Sequence, residues 1–68
     1  MEAKVTANNH QVEVSLPCTL KAFLESCGLR AGSVVVEMNG SAVSPSEFNS
    51  VEIQDGDRLE IVQVIAGG

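Results

Sequence analysis

Few residues of this chain have types and spacing suited to chemistry. Cys18 and Cys27 lie nine positions apart with no Cys-x-x-Cys pair, and His10 is the single histidine. A zinc centre needs about four ligands, usually in close pairs, and the chain does not offer them. A cysteine nucleophile needs a base within reach. His10 falls in an expected turn and offers none, so the thiols read as small side chains in a reducing compartment. Asp55-Gly56-Asp57 begins like a calcium loop but lacks the further ligands and the closing Glu, and reads as a turn. What is left is the end of the sequence, IVQVIAGG. A terminal carboxylate becomes an acyl donor once it is activated. Two readings stand. Small terminal residues fray without a role, or Gly67 and Gly68 form an arm that delivers the carboxylate. Without a Cβ such an arm threads a narrow channel, and its free φ and ψ let it bend into place.

The strand before this arm bears on the choice. Arg58 to Ile65 alternates, with Leu59 and Ile61 on a core face and Arg58 and Glu60 on the other. Continued, the period puts Gln63 toward the core and Val62 and Val64 on the charged face. Single exposed valines are ordinary. A group of them, extended by Val35 from an earlier strand, is the signature of a protein-docking patch.

Other elements must position that strand. Met1 to Ala7 alternates, as do Val12, Val14 and Leu16, and Asn8-Asn9 between them tolerates positive φ, so the two runs predict a β-hairpin. Pro17 ends its second strand. Thr19 is suited to cap a helix whose Leu20, Phe23, Leu24 and Cys27 fall on one stripe over about two and a half turns. Gly28 closes it, with Leu29 as the following apolar contact. So short a helix is unstable alone and must lie across a sheet. SVVVEMNGSAV predicts a strand, an Asn-Gly turn and a return strand, with Val34, Val36 and Met38 inward and Val35 and Glu37 outward. Ser44 to Phe48 predicts a tight turn or one helical turn that tucks Phe48 under the core, and Val51 and Ile53 lead into the Asp-Gly-Asp turn. The order predicts an α+β fold, a small mixed β-sheet with one main helix packed on one face and the first and last strands adjacent at its centre.

Composition limits the remaining possibilities. Sixty-eight residues make one expected domain, 1–68, with a flexible tail over 66–68. A chain this short folds around a thin core, which leaves little room for a deep catalytic cleft. Four Lys and Arg against nine Asp and Glu give a net charge of −5, a surface that repels nucleic acid and suits a basic protein. The two phenylalanines are the only aromatics, so no base-stacking platform is expected. No apolar run nears the ~20 residues of a membrane span, and the first residues lack signal-peptide character, so a cytoplasmic monomer without membrane contact is expected.

VVVEMNGSAVSPSEF in the middle, and VQVIAGG attached to the QDGDRLEI segment at the end, carry a resemblance over nearly the whole chain. The sequence resembles the ThiS-type sulfur carriers, ubiquitin-like proteins of thiamin biosynthesis. Cys18 and Cys27 belong to no motif of that family, and the approach to the helix lacks its frequent glycines. The resemblance implies a ubiquitin-like β-grasp fold and a protein co-substrate, not an enzyme. It implies that a ubiquitin-activating-like adenylyltransferase, using ATP and Mg²⁺, adenylates the Gly68 carboxylate. A persulfide sulfur donor then converts it to a thiocarboxylate, and a thiazole synthase takes the sulfur. No cofactor is expected on the chain itself. In this scheme Gly68 carries the chemistry and Gly67 gives it access. Ala66 is small enough to share the channel, and Val62 and Val64 dock the partner with Val35 and Glu37 as neighbours. The small subunit of molybdopterin synthase shares the tail, although its approach to Gly-Gly tends to carry prolines that are missing here. A ubiquitin-like conjugation module would share the activation and differ in product.

Overall fold

The computed structural model describes residues 1–64; Ala66, Gly67, Gly68 and the expected flexible tail lie outside the described residues. The chain forms strands β1 (Glu2–Ala7) and β2 (His10–Ser15), helix α1 (Leu20–Ser26), and strands β3 (Val34–Met38), β4 (Ser41–Val43) and β5 (Arg58–Gln63). They build one five-stranded sheet in the order β2-β1-β5-β3-β4. The two hairpins are antiparallel, while β1 and β5 run parallel at the centre. This is the mixed sheet with one helix expected from the sequence, and it has the β-grasp arrangement.

Both hairpin turns follow from backbone sterics. Asn8 and Asn9 adopt φ of 51° and 68°, and Asn39 and Gly40 adopt 53° and 86°. Two successive positive φ values give the turn whose twist matches that of the flanking strands, and Asn and Gly enter that region at the lowest cost. His10 is not in the turn as expected. It opens β2, paired with Ala7, because the turn needs only two residues.

Thr19 caps α1 by accepting a hydrogen bond from the Ala22 N–H at 3.0 Å. At the other end Gly28, at φ +78°, donates to the Glu25 carbonyl at 3.0 Å, and the Leu29 N–H reaches Leu24 O at 2.9 Å. This paired closure needs a left-handed residue, which the glycine supplies. The helix is shorter than expected, seven residues. Cys27 becomes its cap and is exposed, so the buried stripe stops at Leu20, Phe23 and Leu24.

The core lies between that stripe and the inner face of the sheet. Val5, Val14, Val34, Val36 and Leu59 meet Leu20, Phe23 and Leu24, with Ile53 and Phe48 filling the remaining space. Phe48 is held there by a single 3₁₀ turn, Pro45–Glu47, closed by a capping box between Ser44 and Glu47. The two residues satisfy each other's exposed backbone donors, and this fixes the angle at which Phe48 enters.

Candidate functional site

β5 is the strand that leads to the Gly-Gly end, and it is held from both sides. On one flank, β1 pairs with it only through Thr6 and Ala7 before the chain turns. The pairing continues through a side chain. The Asn8 N–H donates to Leu59 O at 2.9 Å, its Nδ2 donates to Ile61 O at 2.9 Å, and its Oδ1 accepts from the Ile61 N–H at 2.7 Å. The carboxamide thus takes the place of one more strand residue. On the other flank, the Asn39 N–H donates to Arg58 O at 2.8 Å and its Oδ1 accepts from the Arg58 N–H at 2.9 Å. Its Nδ2 reaches Asp57 Oδ1 at 3.0 Å.

The Asp-Gly-Asp segment is a turn, with Gly56 at φ +89°. Its carboxylates are occupied with backbone donors: Asp55 Oδ1 accepts from the Lys4 N–H and Asp57 Oδ2 from the Gln54 N–H, both at 2.7 Å. The Asp55 contact ties the turn before β5 to β1 and the Asp57 contact closes the turn on itself, so no ligand is required to explain the two aspartates.

Register between β3 and β5 determines what the outer face displays. Val34 pairs with Gln63, Val36 with Ile61 and Met38 with Leu59 on the inner face; Val35 pairs with Val62 and Glu37 with Glu60 on the outer one. Directly opposed residues of an antiparallel pair share a face, with Cβ atoms about 5 Å apart. Val35 and Val62 are 53% and 61% exposed, so this is an apolar pair open to solvent and not the edge of the core. Val64 is 53% exposed, and its N–H donates to Ser33 O at 2.8 Å, carrying the pairing one residue past β5. The expected patch residues Val35, Val62, Val64 and Glu37 are therefore brought together on one face. Gln63 departs from the expected burial: it shares the inner face with the buried Val34 but is itself exposed, at the last residue of β5, where the helix stripe and core cluster do not cover it.

Glu60, the residue opposite Glu37, carries no mark in the sequence, because pairing across distant strands is not visible in local alternation. Asn8 and Asn39 are legible there only as turn formers, and the roles of their carboxamides are not.

The cysteines lie away from this face. Cys18 is half-buried, its Sγ donating to Thr19 O at 3.4 Å, and burial pushes its thiol pKa up, away from the reactive thiolate. It lines a shallow cleft of about 220 Å³ between β2 and α1, with Glu13, Ala22 and Ser26 among its walls. Among the described residues no cluster of three or more His, Cys, Asp or Glu is placed to hold a metal ion. No helix among them is long and apolar enough to cross a membrane.

Comparison with known proteins agrees with this architecture. The family model described as the ThiS family matches residues 2–68. Over 65 residues, 96% of this chain, the sequence is 37% identical to a thiazole synthase of Paramagnetospirillum magneticum. It is 31% identical, with the same coverage, to a thiazole synthase of Magnetococcus marinus. In both cases the chain spans only 20% of the relative's length. Among solved structures, the crystal structure of the thiamine biosynthesis protein ThiS from Geobacter metallireducens superposes with a TM-score of 0.80 at 25% identity, covering 96% of this chain and 99% of that one.

Proposed function

The chain belongs to the ThiS family, and on that footing we propose that it is a sulfur carrier of thiamin biosynthesis whose reactive group is the Gly68 carboxylate. A carboxylate is a poor acyl donor, since its charge repels nucleophiles and oxide is a poor leaving group. Adenylation corrects both defects. A carboxylate oxygen attacks the α-phosphorus of Mg·ATP and pyrophosphate leaves. A persulfide sulfur attacks the acyl-adenylate and AMP leaves. Cleavage of the resulting acyl disulfide by a thiol gives the thiocarboxylate. The ATP site and every catalytic group of these steps belong to the partners, a ubiquitin-activating-like adenylyltransferase and a sulfur donor. This chain contributes the arm, through Ala66, Gly67 and Gly68, and the docking face.

The observation that carries this reading is the placement of β5. It is central in the sheet and clamped by Asn8 and Asn39, and it exposes Val62 and Val64 immediately before the last four residues. A partner that docks on those valines is positioned on the strand that continues into the tail. Delivery to a thiazole synthase is favoured by the relatives of that name, each of which contains a segment like this chain within a longer protein.

The test is the intact mass of the chain after incubation with a ubiquitin-activating-like enzyme, Mg·ATP and a persulfide source. Exchange of one oxygen for sulfur, mapped to Gly68, is the expected outcome. An adduct joining Gly68 to a lysine would reassign the chain to conjugation. No change, with an enzyme active on another carrier, would remove the carrier role.

A further inference from the structure

We propose that Glu37 and Glu60 form a two-carboxylate seat for an arginine of the activating partner, beside the Val35–Val62 pair that takes an apolar side chain of the same partner. This seat presupposes the carrier role proposed above and specifies the chemistry of the surface that docks there.

Glu37 and Glu60 face each other directly across β3 and β5, both exposed, on the same side of the sheet as Val35 and Val62. Like charges directly opposed weaken a sheet. Among the described residues nothing nearby offsets the pair fully. Among the described residues the single ion pair is a 4.0 Å contact between Arg58 Nε and Glu60 Oε1, on exposed side chains, and the Arg58 guanidinium also donates to Asn9 Oδ1 at 3.0 Å. An exposed contact of that length is largely screened. The other strand neighbour of Glu37 is Ala42, which brings no charge. The next register step replaces the two carboxylates by two exposed valines, so acid and apolar ground adjoin within one strand period.

The charge pattern selects the occupant. A second copy of this chain related by a two-fold axis over the patch would bring four carboxylates together, on molecules that each carry a net charge of −5. A basic protein surface is complementary instead. Of the two basic side chains, arginine matches two fixed carboxylates better: its planar fork presents several donors at once, whereas lysine is a compact, strongly hydrated point charge.

The test uses the full chain with glutamine at both positions, E37Q/E60Q, and the adenylyltransferase with Mg·ATP, followed by ATP–pyrophosphate exchange. Removing the repulsion keeps or raises the melting temperature, so a loss of function is not a loss of fold. The expected result is a rise of about tenfold in KM for the carrier with kcat retained, and a flatter dependence of KM on salt. Either single substitution should produce most of that rise, because the fork needs both acids. An unchanged KM in the double variant, with the unsubstituted chain activated normally, overturns the seat and leaves the carrier role standing. Two equal, additive single effects overturn it as well, in favour of diffuse charge attraction. Failure of the unsubstituted chain to be activated overturns the carrier role, and the seat with it.

Discussion

The Asn8 carboxamide gives one hydrogen bond to the backbone of Ile61 and takes another from it, at 2.9 and 2.7 Å, although 53 residues separate the two. One side chain thus forms the hairpin turn and extends the parallel pairing that β1 has left. Asn8→Ala should therefore lose more than turn propensity. Both bonds lie at an exposed edge where water can replace the carboxamide, so each is worth about 0.5–1.5 kcal/mol net, read as a lower urea midpoint with an unchanged slope. Asn8→Gly separates the two roles, since glycine keeps the positive φ and drops the clamp. If the glycine variant is as stable as the unsubstituted chain, the carboxamide contributes nothing. Early amide exchange at Ile61 in both variants would locate the loss.

What could be read from the sequence, and what could not, follows from the range of each interaction. Alternation and turn chemistry are local, so β1, β2, β3, β4 and the Asn-Asn and Asn-Gly turns were legible, as were the outward positions of Val35, Val62 and Val64. The stripe Leu20, Phe23, Leu24 was legible too, but Cys27 was misplaced on it, because the helix ends at Ser26 and Cys27 becomes its exposed cap, one residue earlier than the spacing suggests. Gln63 obeys its period yet meets solvent, since period gives a face and not the extent of its cover. The Asn8, Asn39 and Glu60 relationships depend on which strands become neighbours, and no local window contains that information.

Phe48 should be the least replaceable side chain outside the sheet. It is 1% exposed and enters the core from a one-turn segment with no strand to hold it. Phe48→Ala removes about 3–5 kcal/mol, a large share of the stability of so small a domain. Broad, unresolved amide resonances or a featureless thermal transition are expected. Phe48→Leu, which keeps most of the volume, should retain a cooperative transition at a lower midpoint, and equal midpoints for the two variants would contradict the packing argument.

The thiols should differ in reactivity and in their effect at high pH. Cys27 is exposed and Cys18 is half-buried with a raised pKa, so limiting maleimide at neutral pH should label Cys27 first. The raised folded pKa also fixes a sign. In the unfolded chain Cys18 ionises near the ordinary value of about 8.5, while in the fold it holds its proton longer. Its contribution is complete below the unfolded pKa and is lost as pH rises through the folded one. The urea midpoint should fall more steeply above about pH 8 for the unsubstituted chain than for Cys18→Ala. Parallel profiles would mean that burial does not perturb this thiol.

Docking and delivery should separate kinetically, because they are assigned to different residues of one continuous segment. Val62→Ser and Val64→Ser remove exposed apolar surface that the fold does not use, so each should change stability by less than about 1 kcal/mol. If the valines dock the adenylyltransferase, each raises KM for the carrier by about tenfold and leaves kcat near its original value, since the lost contact exists before and during adenylation. Gly67→Val should do the opposite. A branched side chain stiffens the arm and widens it where a channel must admit it, but the valine patch is untouched. Binding of the carrier, measured by its ability to compete with the unsubstituted chain, should persist while the adenylation rate collapses. A Gly67→Val chain that is adenylated at the original rate would remove the channel from the mechanism. Valine variants with unchanged KM would move the docking surface away from the outer face of β5.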